Sequence, residues 1–214
     1  MKVDVARVIG AMVREVRDVE KDGKPAKMVI AARSYDTDID DLWDALTSAE
    51  RIPRWFLPIE GDLRLGGKYQ FKGNAGGTIT ECEKPRRLTV TWEMGPQVSW
   101  LTLLLAKKGS GTELRLEHTA HVPPEFWDQF GPGAVGVGWE GGFLGMERHL
   151  ADRSATDGPA EGMAWGMSEE GKSFYRASSE AWGAASVASG TDPAAARAAT
   201  DRTTAFYTGG DHKD

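Results

Sequence analysis

Residues 86–94 read RRLTVTWEM. Leu88, Val90, Trp92 and Met94 alternate with Thr89, Thr91 and Glu93. A period of two places the four apolar side chains on one face of a strand and the polar ones on the other. The neighbouring segments repeat this pattern. GGKYQFKG (66–73) sets Tyr69 and Phe71 against Lys68, Gln70 and Lys72. TELRLEHTAH (112–121) puts Leu114, Leu116, His118 and Ala120 opposite Glu113, Arg115, Glu117 and Thr119. Between them VSWLTLLLAKK (98–108) is apolar on both faces near its centre, as in a strand covered on both sides. Asn74-Ala75-Gly76-Gly77, Lys84-Pro85, Gly95-Pro96 and Gly109-Ser110-Gly111 supply the turns. The reading is an antiparallel meander with one wet face.

Toward the N-terminus, residues 11–35 form a hairpin around Asp22-Gly23, a strong turn signal. A helical pattern in residues 5–16 competes for the start of its first strand. Asp36, Thr37 or Asp38 then caps a helix that carries Ile39, Leu42, Trp43 and Leu46 on one buried face. Thr47 with Glu50 has the spacing of a capping box for the next turn, where Pro53 is tolerated and Trp55 and Phe56 follow together.

Toward the C-terminus, the loop VPPEFWDQFGP (122–132) leads to a helix over 132–151. Its stripe is Val135, Trp139, Phe143, Met146 and Leu150. DRSATDGPAEG (152–162) reads as a linker. The tail then forms two helices: one bears Phe174, Ser178, Trp182 and Ala185 on a face, and one runs from Thr191-Asp192-Pro193 to near Tyr207 before Gly209-Gly210. Both pack on the main domain, because Trp182 and Phe206 need cover. Low-complexity disorder of the Ala-rich part is the alternative.

Several classes are disfavoured by composition. A net charge of -6 with no basic cluster argues against nucleic acid. MKVDVARVIG lacks the apolar core of a leader peptide, and no run approaches the ~18 apolar residues of a membrane helix. Cys82 is the sole cysteine, which excludes an intramolecular disulfide and fits a cytoplasmic protein. At 214 residues the chain can bury one good core without staples.

The literal motifs carry little chemistry. Gly136-Val137-Gly138-Trp139-Glu140-Gly141 matches GxGxxG, but a dinucleotide site needs a strand before it and a parallel unit around it. The glycines at 133, 136, 138, 141, 142 and 145 instead imply close backbone approach, or room for a ligand beneath the helix. His118 and His121 form HxxH, a spacing that points the two rings to opposite sides of a strand, and no Cys or carboxylate cluster completes a metal site. His118 shares the apolar face, either as a satisfied core histidine or as a group that orients a ligand. Cys82 has no catalytic neighbour and reads as a small hydrophobe. Glu81 is a general base only if its strand turns it inward, and an outward, solvated glutamate is the simpler reading.

Five segments in order, ALTSAERIPRWFLP, GDLRLGGKYQF, GGTITECEKPRRLTVTWE, GTELRLEHTAHV and GWEGGFLGMERHL, resemble the SRPBCC (START-like) superfamily. Within it the chain is similar to homologues of the activator of heat-shock-protein-90 ATPase, over residues 10–151. The resemblance implies an α+β helix-grip fold: a curved antiparallel sheet around a long C-terminal helix, two short helices closing one end, and an apolar cavity for a lipid, polyketide or aromatic molecule. It divides the chain into a START-like domain, 1–151, and a helical extension, 152–214. The eukaryotic co-chaperone that names the family has an additional N-terminal domain with much of its chaperone contact. This chain has no room for that domain, so co-chaperone activity is not expected.

The leading expectation is therefore a non-enzymatic binder of a small hydrophobic or aromatic ligand, with no cofactor and no metal. Trp55, Phe56, Tyr69, Phe71, Trp92, Trp100, Trp139 and Phe143 supply apolar wall, and His118 supplies an orienting hydrogen bond. One rival is a cyclase-, aromatase- or hydrolase-like enzyme that uses His118 or Glu81. Another is a protein-interaction module with an exposed apolar patch on the tail helices. A homodimer is compatible with any of these.

Overall fold

The computed structural model describes residues 3–153 and 159–210. Helix α1 (Val5–Gly10) precedes strands β1 (Val13–Lys21) and β2 (Lys24–Tyr35), helix α2 (Ile39–Thr47) and a 3₁₀ turn (Ile52–Arg54). Six strands follow: β3 (Ile59–Gly61), β4 (Lys68–Phe71), β5 (Gly76–Glu83), β6 (Arg87–Met94), β7 (Gln97–Lys108) and β8 (Gly111–Ala120). Among the described residues five helices come next: α3 (Pro124–Phe130), α4 (Gly133–Ala151), α5 (Pro159–Met167), α6 (Glu169–Ala188) and α7 (Pro193–Thr208). The strands form one sheet in the order β1-β2-β8-β7-β6-β5-β4-β3, and β3 to β8 are the expected antiparallel meander. The architecture is the α+β helix-grip type.

The competing readings of residues 5–16 are both realised in part. Asp4 caps a helix that stops at Gly10, and β1 begins at Val13. Asp22 and Gly23 both have positive φ, 51° and 72°, as a tight turn matched to strand twist requires.

The chain divides into two compact units. The first comprises Met1–Ala31, His121–Gly141 and Ala160–Asp214. Here α6 packs on α1 and β1, and α7 packs on α6 and α3. Trp182 and Phe174 are fully buried. Gly136 lies against the Trp182 indole, where an added Cβ would overlap the ring. Arg14 gives Glu140 two hydrogen bonds, Nε to Oε1 at 2.6 Å and Nη2 to Oε2 at 2.9 Å. Tyr207 donates to the Ala134 carbonyl at 2.9 Å, and Thr203 to that of Phe130 at 3.0 Å.

The second unit comprises Ala32–Ala120 and Gly142–Pro159. Asp38, one of the three proposed caps, accepts from the Asp41 amide, and Ile39, Leu42, Trp43 and Leu46 are buried as expected. Helix α2 packs on β7 and β8. The inner face of the meander carries Ile79, Val90, Leu101, Leu103, Leu105, Leu114 and Leu116, all buried.

Several expectations need correction. The segment VPPEFWDQFGP is not a plain loop: Pro124, whose missing amide is harmless in a first turn, opens α3. Among the described residues the tail has three helices, since α5 occupies the end of the expected linker, and 154–158 lie outside those residues. Thr47 and Glu50 do not form a capping box. The Thr47 hydroxyl donates back to the Trp43 carbonyl at 2.8 Å, and Ser48 accepts from the Glu50 amide. Met94 and Phe206 are exposed, Met94 because it lies at a hairpin end. On α4, Val135 is exposed while Val137, Glu140, Leu144 and His149 are buried. Ion pairing satisfies the buried Glu140, so the helix's buried face is not its apolar stripe.

Candidate ligand-binding site

The second unit assembles most of the expected wall. Its anchor is the turn after α2. Arg51 donates from Nη1 to Asp41 Oδ1 (2.9 Å) and Asp44 Oδ2 (3.0 Å), and from Nε to His149 Nε2 (3.2 Å). Burial opposes ionisation of Asp41, but the Thr37 hydroxyl and Arg51 outweigh it and hold the carboxyl below its ordinary range. Burial lowers the His149 pKa, and Arg51 lowers it further. This network fixes the turn on the C-terminal part of α4. Trp55 is then tied to α2 by its indole N–H, 2.9 Å from the Ala45 carbonyl.

From Trp55 the rings run without a break. Trp55 meets Phe56 at 5.5 Å between centroids, and Phe56 meets Phe71 edge-on at 5.1 Å. Phe71 meets Tyr69 at 5.5 Å and Trp92 at 5.6 Å, and Trp92 meets His118 at 6.3 Å. Offset and edge-on pairs of this kind suit ring quadrupoles. Tyr69 donates to the Thr91 carbonyl at 2.7 Å, and burial raises its phenol pKa.

His118 ends the run in a polar contact. Its Nε2 lies 2.8 Å from Ser99 Oγ, which is 3.1 Å from the Trp92 carbonyl. Assigning the single hydroxyl proton to that carbonyl makes Nε2–H the donor to Ser99. Burial lowers the His118 pKa to about 4, so the ring is neutral at pH 7. Of the two readings offered for His118, the satisfied core histidine describes this hydrogen bond.

A stability signature follows. Below pH 6.5 the unfolded chain takes a proton at this position, whereas the folded chain does not until about pH 4. Stability contributed by neutral His118 is therefore lost as pH falls through that window, by roughly 3 kcal/mol in total. Urea unfolding at pH 7 and pH 4 should show the gap between wild type and His118→Gln closing by that amount as pH falls.

Two glycines of α4 face Trp55 and Phe56. A Cβ on Gly142 would lie 3.7 Å from the Phe56 ring, an ordinary contact, whereas one on Gly145 would overlap the Trp55 carbonyl. Gly142→Ala should therefore stabilise by about 0.5–1 kcal/mol through helix propensity. Gly145→Ala should instead destabilise by about 1–3 kcal/mol, because backbone cannot yield cheaply. Thermal unfolding of the two variants checks the opposite signs.

Not every expected residue joins this face. Trp100 is opposite Thr91 and Thr119 in the register, while Trp92, Ser99, Leu101 and His118 occupy the alternate positions. Strand alternation turns Trp100 to the other side of the sheet. Trp139 is half-buried on the part of α4 that belongs to the first unit. Phe143 is buried and meets Tyr35 edge-on at 6.5 Å. Glu81 is exposed and held by Arg87 (2.7 Å) and Thr89 (2.9 Å), beside a register shift in β5, so it is not an interior base. Cys82 is exposed as well, because the end of β5 from Thr80 to Glu83 is uncovered on both faces.

Sequence reasoning missed Arg33, Tyr35, Ser99 and Glu147. Arg33 is buried and pairs with Glu147 at 2.8 Å, and the buried Tyr35 hydroxyl donates to the Phe143 carbonyl at 3.1 Å. The available signal was an arginine inside VIAARSY, where Val29 through Arg33 are all buried and alternation is silent.

In the first unit, Phe130, Gly133, Ser179, Gly183, Thr200 and Thr203 line part of a small hollow with room for about one water. No group of three or more His, Cys, Asp or Glu among the described residues is arranged to hold a metal.

Residues 36–150 match the family model described as Activator of Hsp90 ATPase homolog 1-like protein. The solution structure of CalU16 from Micromonospora echinospora is 34% identical, covers 85% of this chain and 97% of CalU16, and has a TM-score of 0.67. The CalU16 crystal structure, also 34% identical, covers 72% and 96% with a TM-score of 0.59. The Aha1 dimer from Colwellia psychrerythraea shares the fold alone, at 13% identity over 60% of this chain and 98% of that one, with a TM-score of 0.51. No curated protein matches. The likeness to CalU16 extends beyond residues 36–150.

Proposed function

The chain belongs to the Activator of Hsp90 ATPase homolog 1-like family of SRPBCC proteins, and from that premise we propose that its second unit binds a small hydrophobic or aromatic molecule without transforming it. One observation carries the reading. A continuous run of rings leads from Trp55 and Phe56, after the 3₁₀ turn, across the inner face of the sheet to a neutral, buried His118, and on α4 Gly142 meets the first two rings while Gly145 meets the Trp55 backbone. Rings present apolar faces to a ligand, and glycines leave the helix side low. Trp55 and Phe56, which directly follow the short 3₁₀ turn, are only half-buried. The ligand is a lipid, polyketide or aromatic molecule that packs against this run of rings. The exposure of Glu81 leaves the enzyme alternative with His118 alone.

The indole N–H signals of two-dimensional NMR test this. Ligands from those classes should move the Trp55 and Trp92 signals and leave that of Trp182, in the first unit, in place. A panel that moves neither counts against the proposal.

A second reading, a protein-interaction surface, draws support from exposed Phe206, Met163 and Met167 on the tail helices, and from the Phe126–Phe130–Phe206 ring contacts. It includes a homodimer. Light scattering of wild type and Phe206→Glu would reveal one as a mass that halves in the variant, and a monomeric wild type would remove it. Among the described residues no helix is long and apolar enough to cross a membrane. A cytoplasmic setting belongs to the same proposal.

A further inference from the structure

Arg14 and Arg33 both pair with carboxylates of α4 but are treated differently. Arg14, in the first unit, gives its protons to both oxygens of Glu140 and to the Ile9 and Met12 carbonyls. Arg33, in the second, is 4% exposed and makes one ion pair, from Nη2 to Glu147 Oε2 at 2.8 Å. Its Nε and Nη1 meet no acceptor. Three of the five guanidinium N–H groups are therefore unspent. The Tyr35 ring lies 5.5 Å from the guanidinium carbon, but a ring face does not accept hydrogen bonds directed along the guanidinium plane. The Tyr35 hydroxyl is committed to the Phe143 carbonyl.

Such an arrangement is costly unless an acceptor completes it. Guanidinium does not deprotonate in proteins, and a buried donor without a partner forfeits its full hydration. The α4 segment involved is the one already described. Phe143 and Glu147, one turn apart, face Tyr35 and Arg33, while Gly142 and Gly145 face Phe56 and Trp55.

We propose that Arg33 is the polar anchor of the bound ligand and that the ligand is an apolar acid: a hydrophobic or aromatic body carrying a carboxylate, seated on Nε and Nη1. Arginine suits this task because its charge is permanent and its N–H groups are fixed in a plane. Glu147 competes for the same guanidinium and limits the affinity. This inference rests on the ligand-binding reading of the second unit and narrows it to one chemical class.

Two probes with the same skeleton provide the test. 8-Anilinonaphthalene-1-sulfonate carries an anion in place of the carboxylate, and N-phenyl-1-naphthylamine lacks it. Both are titrated by fluorescence into wild type, Arg33→Gln, Glu147→Gln and the double variant, with circular dichroism to establish folding. The double variant leaves no orphan charge and protects the test if Arg33→Gln fails to fold. Loss of Arg33 should weaken the sulfonate probe by about 10- to 100-fold and the neutral probe by no more than about 3-fold. Glu147→Gln should tighten the sulfonate probe alone, an effect that a merely structural arginine would not produce. Equal changes for both probes, or none, overturn the anchor and leave the ligand-binding reading standing. Saturable binding of neither probe to wild type overturns both.

Discussion

Trp182→Ala is expected to destabilise the protein by about 3–5 kcal/mol, measured as a fall in the urea midpoint at unchanged slope. Trp182 is fully buried in the first unit, and truncation there leaves a cavity that the surroundings fill only in part. Its Nε1 meets no acceptor, so truncation also removes an unsatisfied donor, which sets the loss toward the lower end. The facing helix has already given up a side chain. Gly136→Ala places a Cβ inside the ring, and its cost of about 1–3 kcal/mol outweighs the roughly 1 kcal/mol of helix propensity gained. Unfolding of Gly136→Ala more stable than wild type would show that the tryptophan is not held against α4.

The second large effect concerns Arg14 and Glu140, whose side chains are 9% and 1% exposed. Arg14→Met or Glu140→Met alone leaves one buried charge uncompensated and should cost about 3–5 kcal/mol. The double Met variant removes both charges and should recover most of that loss. A double-mutant cycle separates the two contributions, and additive single losses would contradict a buried pair.

The contrast between these helices and the sheet explains what the sequence made legible. RRLTVTWEM and TELRLEHTAH declared their faces because solvent wets one side of the meander, and Trp92 and His118 were placed correctly by alternation alone. Trp100 was not, since its strand is apolar on both faces and hydropathy gives no preference. Periodicity predicts for helix α4 an apolar stripe through Val135, yet the helix buries Glu140 and His149 and exposes Val135. Its burial is decided by ion pairs and by glycines that meet Trp55 and Trp182, contacts between residues far apart in the chain. The glycine count announced close approach without naming the neighbour. Arg33 was hidden for the same reason, because only Glu147, 114 residues later, explains why a charge is tolerated there.

The central claim is that the second unit holds one small apolar molecule, and native mass spectrometry tests it most directly. Freshly purified protein, alone and after incubation with N-phenyl-1-naphthylamine, is compared with its denatured mass. The account predicts a one-to-one complex that disappears on denaturation, weakened when Phe56 or Trp92 is replaced by alanine. Bare protein under both conditions, or a complex indifferent to those rings, would contradict it.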